Sequence, residues 1–96
     1  MELTFERYVI NIKEITPRGD ERFYFLEKIE SNSYGTLSVV KTSNPFDAMQ
    51  FYLYPNDDPG KGKLNKLVEL VKESVVPNEC EHIVRLIPVT IHIGDL

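Results

Sequence analysis

The stretch KLNKLVELVKESVV, residues 63–76, sets the architecture of this chain. Its apolar side chains recur at i, i+3, i+4, i+7 and i+11, which gathers them on one side of an α-helix. The helix is predicted to end before Pro77, because the residue preceding a proline is pushed out of the helical region. At about 1.5 Å per residue it is ~21 Å long, enough to cross one face of a small sheet. The apolar stripe consists of Leu64, Leu67, Val68, Val71 and Val75, with Lys66, Glu69 and Glu73 opposite.

The chain before this helix has the alternating pattern of β-strands. Tyr8, Ile10 and Ile12 share one parity, and Leu3 and Phe5 have the other, which predicts a bulge near Glu6 and Arg7 that switches faces. Turn sequences follow at 16–21 and 31–35. Three short strands joined by tight turns predict an antiparallel meander. In the second strand Phe23, Phe25 and Ile29 are predicted to share one face, and in the third strand Leu37 and Val39 do so, with Ser38 and Val40 opposite.

The segment HIVRLIPVTIHI, residues 82–93, predicts a long final strand. Val84 and Leu86 make its first half apolar on both faces, which is typical of an internal strand. Pro88 donates no hydrogen bond, so the strand is expected to bulge or to become an edge there. The residues that share one parity, interrupted by Arg85, are Ile83, Ile87, Val89, Ile91 and Ile93.

Residues 44–54 allow two interpretations. Asn44 can cap a helix with Pro45 in its first turn. The same residues also suit a type I turn, and residues 50–54 have high β-propensity. We favour a turn, or one helical turn, followed by a fourth strand.

These patterns predict an α+β fold in two layers. It consists of a mainly antiparallel sheet of four to five strands, with an N-terminal meander and a long C-terminal strand, and one amphipathic helix packed on one face. The 96 residues are expected to form a single domain, 1–96, with one core. Helix and sheet, phenylalanines included, are expected to use nearly all the apolar surface and to leave no cavity for chemistry.

Composition limits the classes of function. No apolar run is long enough to span a membrane, and no signal-peptide pattern is present, so we expect a cytoplasmic protein. The net charge of −4 argues against non-specific DNA binding, which needs a positive field. Cys80 is the single cysteine, so no intrachain disulfide forms.

Tyrosines supply one candidate site. Tyr24, Tyr52 and Tyr54 could share the outer face of the sheet, and tyrosine is enriched in protein-binding hot spots. Aromatic side chains near lysines can also stack unpaired bases, but residues 22–29 lack the glycine that the central motif of an RNA-recognition domain needs. Packing in the core or at its rim is the third interpretation.

Lysines at the start of the helix supply another candidate. Lys61, Lys63 and Lys66 follow the sequence DDPG, and a cation there opposes the helix dipole unless an anion compensates it. A phosphate or carboxylate is the expected ligand of such a site. Alternatively, Asp58 caps the helix and the lysines are solvated. The spacing does not fit a Walker loop, which excludes that class of nucleotide site.

No catalytic, metal or cofactor site is predicted. Cys80 and His82 could supply two metal ligands, but His92 lies about 33 Å along the strand from His82. The i, i+2 spacing fits a Cys–His nucleophilic pair poorly. Glu69 and Glu73 share a solvated side of the helix and form no acid–base pair.

The expected function is therefore non-catalytic binding of another protein, as a regulator, inhibitor or accessory subunit. Small proteins of this composition are often inhibitors encoded by phages or other mobile elements, which is an association and not a deduction. A homodimer through an exposed strand edge is a further expectation. The alternative is a nucleic-acid or phosphorylated-ligand binder that uses Lys61, Lys63 and Lys66.

Overall fold

The computed structural model describes residues 3–75 and 79–94. They form one four-stranded sheet in the order β3-β2-β1-β4, with every neighbouring pair antiparallel and one helix packed against it. The predicted α+β class, the meander of the first three strands and the long final strand are confirmed. No helix in the described ranges is long and apolar enough to cross a membrane. In chain order the elements are β1 (Leu3–Ile15), β2 (Glu21–Ser31), β3 (Leu37–Thr42), a 3₁₀ turn (Pro45–Asp47), α1 (Asp58–Ser74) and β4 (Glu81–Ile93).

The longest ladder joins the first strand to the last. β1 pairs with β4 without interruption, from Leu3 opposite Ile93 to Ile15 opposite Glu81. The bulge predicted near Glu6 and Arg7 is therefore wrong. The parity of Leu3 does not switch, because β4 supplies apolar partners of matching parity on that side. A register shift does occur in β2, between Leu26 and Lys28, where β2 pairs with β3.

The helix α1 packs against only one of the two faces of the sheet. Residues directly opposite in antiparallel strands point to the same side. One side, the helix face, holds the core against α1. The core cluster contains Ile10, Ile12, Leu26 and Val84 from the sheet with Val68 and Val71 from the helix.

The other side, which we call the open face, is also apolar. Phe5, opposite Ile91, and Phe23, opposite Lys13, lie there, and Phe23 is 52% exposed. The expectation that the phenylalanines fill the core is wrong for these two and for Phe25, because their register places them on the side away from α1. It is also wrong for Phe46, which is 87% exposed. The apolar residues of the open face are Leu3, Phe5, Val9, Ile15, Phe23, Phe25, Ile83, Ile87, Val89, Ile91 and Ile93, of which Val9 is buried.

Residues 44–54 contain a turn but not a strand. The Asn44 side chain caps the 3₁₀ turn by accepting a hydrogen bond from the Phe46 N–H at 3.0 Å. Phe51 then forms an isolated bridge with Tyr8, in which both backbone bonds measure 2.8 Å. The predicted turn is present, and the predicted fourth strand here is reduced to this bridge. In one direction longer pairing is blocked because β2 occupies the same side of β1 from Asn11 onward.

The bridge between Tyr8 and Phe51 explains why a proline is tolerated at position 88 of β4. It lies opposite Tyr8, whose N–H and C=O both bond to Phe51 on the other side of β1. Tyr8 therefore needs no hydrogen bond from Pro88. The edge position predicted for Pro88 is confirmed, while the expectation that the first half of β4 is internal is wrong, since β4 is an edge strand along its whole length.

The helix begins earlier than its apolar stripe indicates. Asp57, rather than Asp58, is the N-cap, and its side chain accepts a hydrogen bond from the Gly60 N–H at 2.9 Å. Pro59 stands in the first turn, where its missing N–H costs nothing. The helix ends at Ser74, and the predicted stop at Pro77 lies outside the described residues. The buried stripe is confirmed at Leu64, Val68 and Val71.

Candidate protein-binding surface

The open face carries exposed apolar side chains near its two ends, while Val9 and Asn11 between them are buried. The exposed ones are Leu3, Phe5 and Ile93 near one end and Phe23 near the other. β1 and β4 each have 13 residues, so this face is about 44 Å long at ~3.4 Å per residue. β1 and β4 run along this whole length and β2 adds a third strand only beside Asn11–Ile15, so the projected area is roughly 500 Å². A standard interface buries ~800 Å² of each partner. Contiguous apolar patches of a few hundred Å² on a protein surface often mark binding sites.

Basic side chains lie among the apolar residues of the open face. The Lys13 ammonium lies 5.8 Å from the centre of the Phe23 ring and forms an ion pair with Glu21 at 2.8 Å. Arg85 lies opposite Asn11 near the middle of the face and is exposed. A basic side chain placed over an aromatic ring is attracted to the face of that ring.

The structure brings two of the three predicted tyrosines together. The ring centroids of Tyr52 and Tyr54 are 4.9 Å apart, with the planes at 84°. The Arg7 guanidinium carbon lies 4.9 Å from the Tyr52 ring and 5.5 Å from the Phe5 ring. Arg7 thus connects the tyrosine pair to the open face.

Tyr24 is not part of this group. It lies opposite Ile12 and packs against the core on the helix face, half-buried. Its ring lies 4.4 Å from the Lys41 ammonium. The expectation that the three tyrosines share one outer face is therefore wrong for Tyr24, because its register with Ile12 sets its side.

The three predicted anion-binding lysines do not converge. At 100° per residue, Lys61 and Lys63 point about 160° apart around the helix. Lys61 lines a cleft with Tyr52 and Tyr54, whereas Lys66 lies on the outer side of the helix beside Glu69. The carboxylate of Asp57 already accepts the hydrogen bond of the Gly60 N–H at the helix start.

Ionisable side chains meet on the helix face, which the sequence analysis did not predict. Glu14 is 7% exposed, and its Oε2 atom lies 3.0 Å from the Lys41 ammonium and 3.3 Å from Nε2 of His82. A guanidinium nitrogen of Arg22 is 3.9 Å from Oε1. Glu14, Lys41 and His82 line a pocket with residues of β3 and the end of α1. The expectation of no cavity with contacting ionisable groups is therefore wrong.

The electrostatics of this cluster favour a structural role. The hydrogen bond from Lys41 lowers the pKa of Glu14, against the opposing effect of burial, so the carboxylate is charged. Burial and the nearby Glu14 carboxylate raise the pKa of the Cys80 thiol. A thiol held protonated is a poor nucleophile, and a fully paired carboxylate is a poor proton acceptor.

One signal in the sequence points to Glu14. It has the parity of Ile10 and Ile12, so its carboxylate must lie on the same face of the strand as these core residues. Its partners lie on other strands, and their positions follow only from the register. Within residues 3–75 and 79–94, no group of three histidine, cysteine or acidic side chains is placed to hold a metal ion.

The chain matches no protein-family model, and neither curated proteins nor solved structures show a significant similarity to it.

Proposed function

We propose that this protein is a non-catalytic binding module, acting as a regulator, inhibitor or accessory subunit, and that the open face binds the partner protein. The observation that carries the proposal is the row of large apolar side chains on the side of the sheet that α1 does not cover. The Tyr52–Tyr54 pair extends this surface through Arg7.

The composition of the open face favours a protein over a nucleic acid. Its side chains are mostly aliphatic, and aliphatic groups match an apolar protein surface but do not stack on bases as aromatic rings do. Its charged side chains near the centre, Arg85 and Lys13, are cationic. The partner surface is accordingly apolar with carboxylates among its contacts.

The test removes apolar groups without touching the core. In the variants Phe5→Ser and Phe23→Ser the helix face is unchanged, so circular dichroism should show an intact fold. A partner captured from native lysate with the wild-type chain, then purified, should bind each variant at least ~30-fold more weakly, the loss expected for a hot-spot residue.

Tyr34→Ser is the matched control, because Tyr34 is 91% exposed and lies in the turn between β2 and β3. It should bind the partner as the wild type does. Unchanged affinity in both phenylalanine variants would refute the proposal. Recovery of nucleic acid alone, with an affinity that falls steeply with salt, would favour the lysine-based alternative instead.

A further inference from the structure

The outer edge of β4 carries backbone groups that lack a partner in the described chain. Tyr8 directs its N–H and C=O away from β4, so Tyr8 and Pro88 form a non-hydrogen-bonded pair. By the alternation of antiparallel ladders, the N–H and C=O groups of His82, Val84 and Leu86 also point outward. Within residues 3–75 and 79–94, no backbone hydrogen bond from a turn or loop reaches them.

The side chains of this part of β4 are those of an internal strand. Val84 and Leu86 lie on the helix face, while Ile83 and Ile87 lie on the open face. Strands that are apolar on both sides are normally flanked on both edges. Edge strands are usually protected by charges or prolines, and here Pro88 protects only the far half.

We propose that residues 80–87 of β4 pair antiparallel with the same residues of a second copy of this chain. The two sheets would then join into one sheet of eight strands around a two-fold axis. Pro88 limits the paired segment, because it has no N–H to donate. The open face stays uncovered in this dimer, so the inference goes beyond the proposed function.

Charge complementarity identifies the second copy as the occupant. Glu81 and Arg85 are exposed, and neither forms an ion pair in the described residues. With the axis at Ile83, Arg85 is directly opposite Glu81 of the second copy, and with the axis at Val84 the two are diagonal neighbours. Either register forms the contact twice by symmetry.

A register shifted toward Pro88 is unfavourable. An axis at Arg85 places the two arginines opposite each other and draws Pro88 into the pairing. Like charges directly opposite destabilise a sheet. The charge pattern therefore favours a dimer whose axis lies at Ile83 or Val84 over one whose axis lies at Arg85.

Sedimentation velocity of the purified chain, over a wide concentration range, tests the dimer directly. The wild type should reach twice the 11.1 kDa mass of one chain. Arg85→Glu should weaken the dimer about tenfold or more, because both symmetric contacts turn repulsive. The double variant Glu81→Arg/Arg85→Glu should restore it, since the swapped pair is again attractive.

Two controls separate this inference from the proposed function. Lys66→Glu makes the same charge change on the outer side of the helix and should leave the dimer unchanged. Phe23→Ser should also leave it unchanged, because the open face is not the dimer interface. A wild type that stays monomeric would overturn the inference, and so would a dimer that Phe23→Ser breaks and Arg85→Glu does not.

Discussion

Glu14 is a single residue that connects β1 to the three other strands, because the strand register places its partners around it. It lies opposite His82 in β4 and Arg22 in β2, and Lys41 reaches it from β3. One carboxylate therefore ties three other strands to β1. Removing it leaves the cations without a partner at a largely buried position, where unmade hydrogen bonds are costly.

The variant Glu14→Gln should lower the free energy of unfolding at neutral pH by about 1–3 kcal/mol. The pKa of Glu14 is lowered in the folded protein from its ordinary value of 4.5. Its stabilising effect is thus fully present above that value and is lost as the pH falls through the lowered pKa. The wild type should lose stability over this acidic range, and Glu14→Gln should lose less.

Urea unfolding monitored by circular dichroism, repeated from neutral to acidic pH, measures both effects. Glu73→Gln is the control, because Glu73 is exposed on the helix. Identical acid slopes for Glu14→Gln and the wild type would show that Glu14 is not responsible for the pH dependence.

At the scale of elements, α1 offers a matched pair of glycines. A methyl group on Gly62 would meet open space, whereas one on Gly60 would meet the carboxylate of Asp57, the N-cap. Gly62→Ala should therefore raise the free energy of unfolding by up to about 1 kcal/mol through helix propensity. Gly60→Ala should show no such gain, or a loss, because the cap must move.

Thermal and urea unfolding of the two variants provide the comparison. An equal gain in both would mean that the cap contributes little. A loss in Gly62→Ala would mean that the first turn of α1 does not have the geometry described.

The helix and the strands were largely predictable from local patterns, but which strands pair with each other in the sheet was not. The 3.6-residue stripe from Leu64 to Val71 and the alternation through Ile10 and Ile12 identify a helix and a strand without tertiary information. The position of β4 at the edge depends on which side of β1 remains after β2 has paired, which no local pattern records. The open face was missed for the same reason. From the sequence Phe23 has the pattern of a core residue. Only its register opposite Lys13 shows that it lies on the open face of the sheet.

At the scale of the whole molecule, the shape is elongated. The principal extents are 47 × 32 × 26 Å, and the radius of gyration of 15.1 Å exceeds the ~12.5 Å expected for a compact chain of this length. The cause is the end of the sheet where β2 no longer pairs with β1. There, residues 3–7 and 89–93 form a two-stranded arm.

Hydrogen exchange should report this division. Two-stranded ribbons are marginally stable in water, so amides of Phe5 and Arg7 should exchange faster than those of Ile12 and Glu14. Exchange measured by NMR at several pH values gives the protection of each amide. Equal protection along β1 would contradict the division into arm and body.

The uninterrupted ladder between β1 and β4 also bears on synthesis. While the ribosome is still making α1, the strand that covers one whole side of β1 does not yet exist. A nascent chain at that stage exposes the edge of an apolar strand that can recruit any extended neighbour. Such a chain is prone to aggregation until β4 has been translated and has paired with β1.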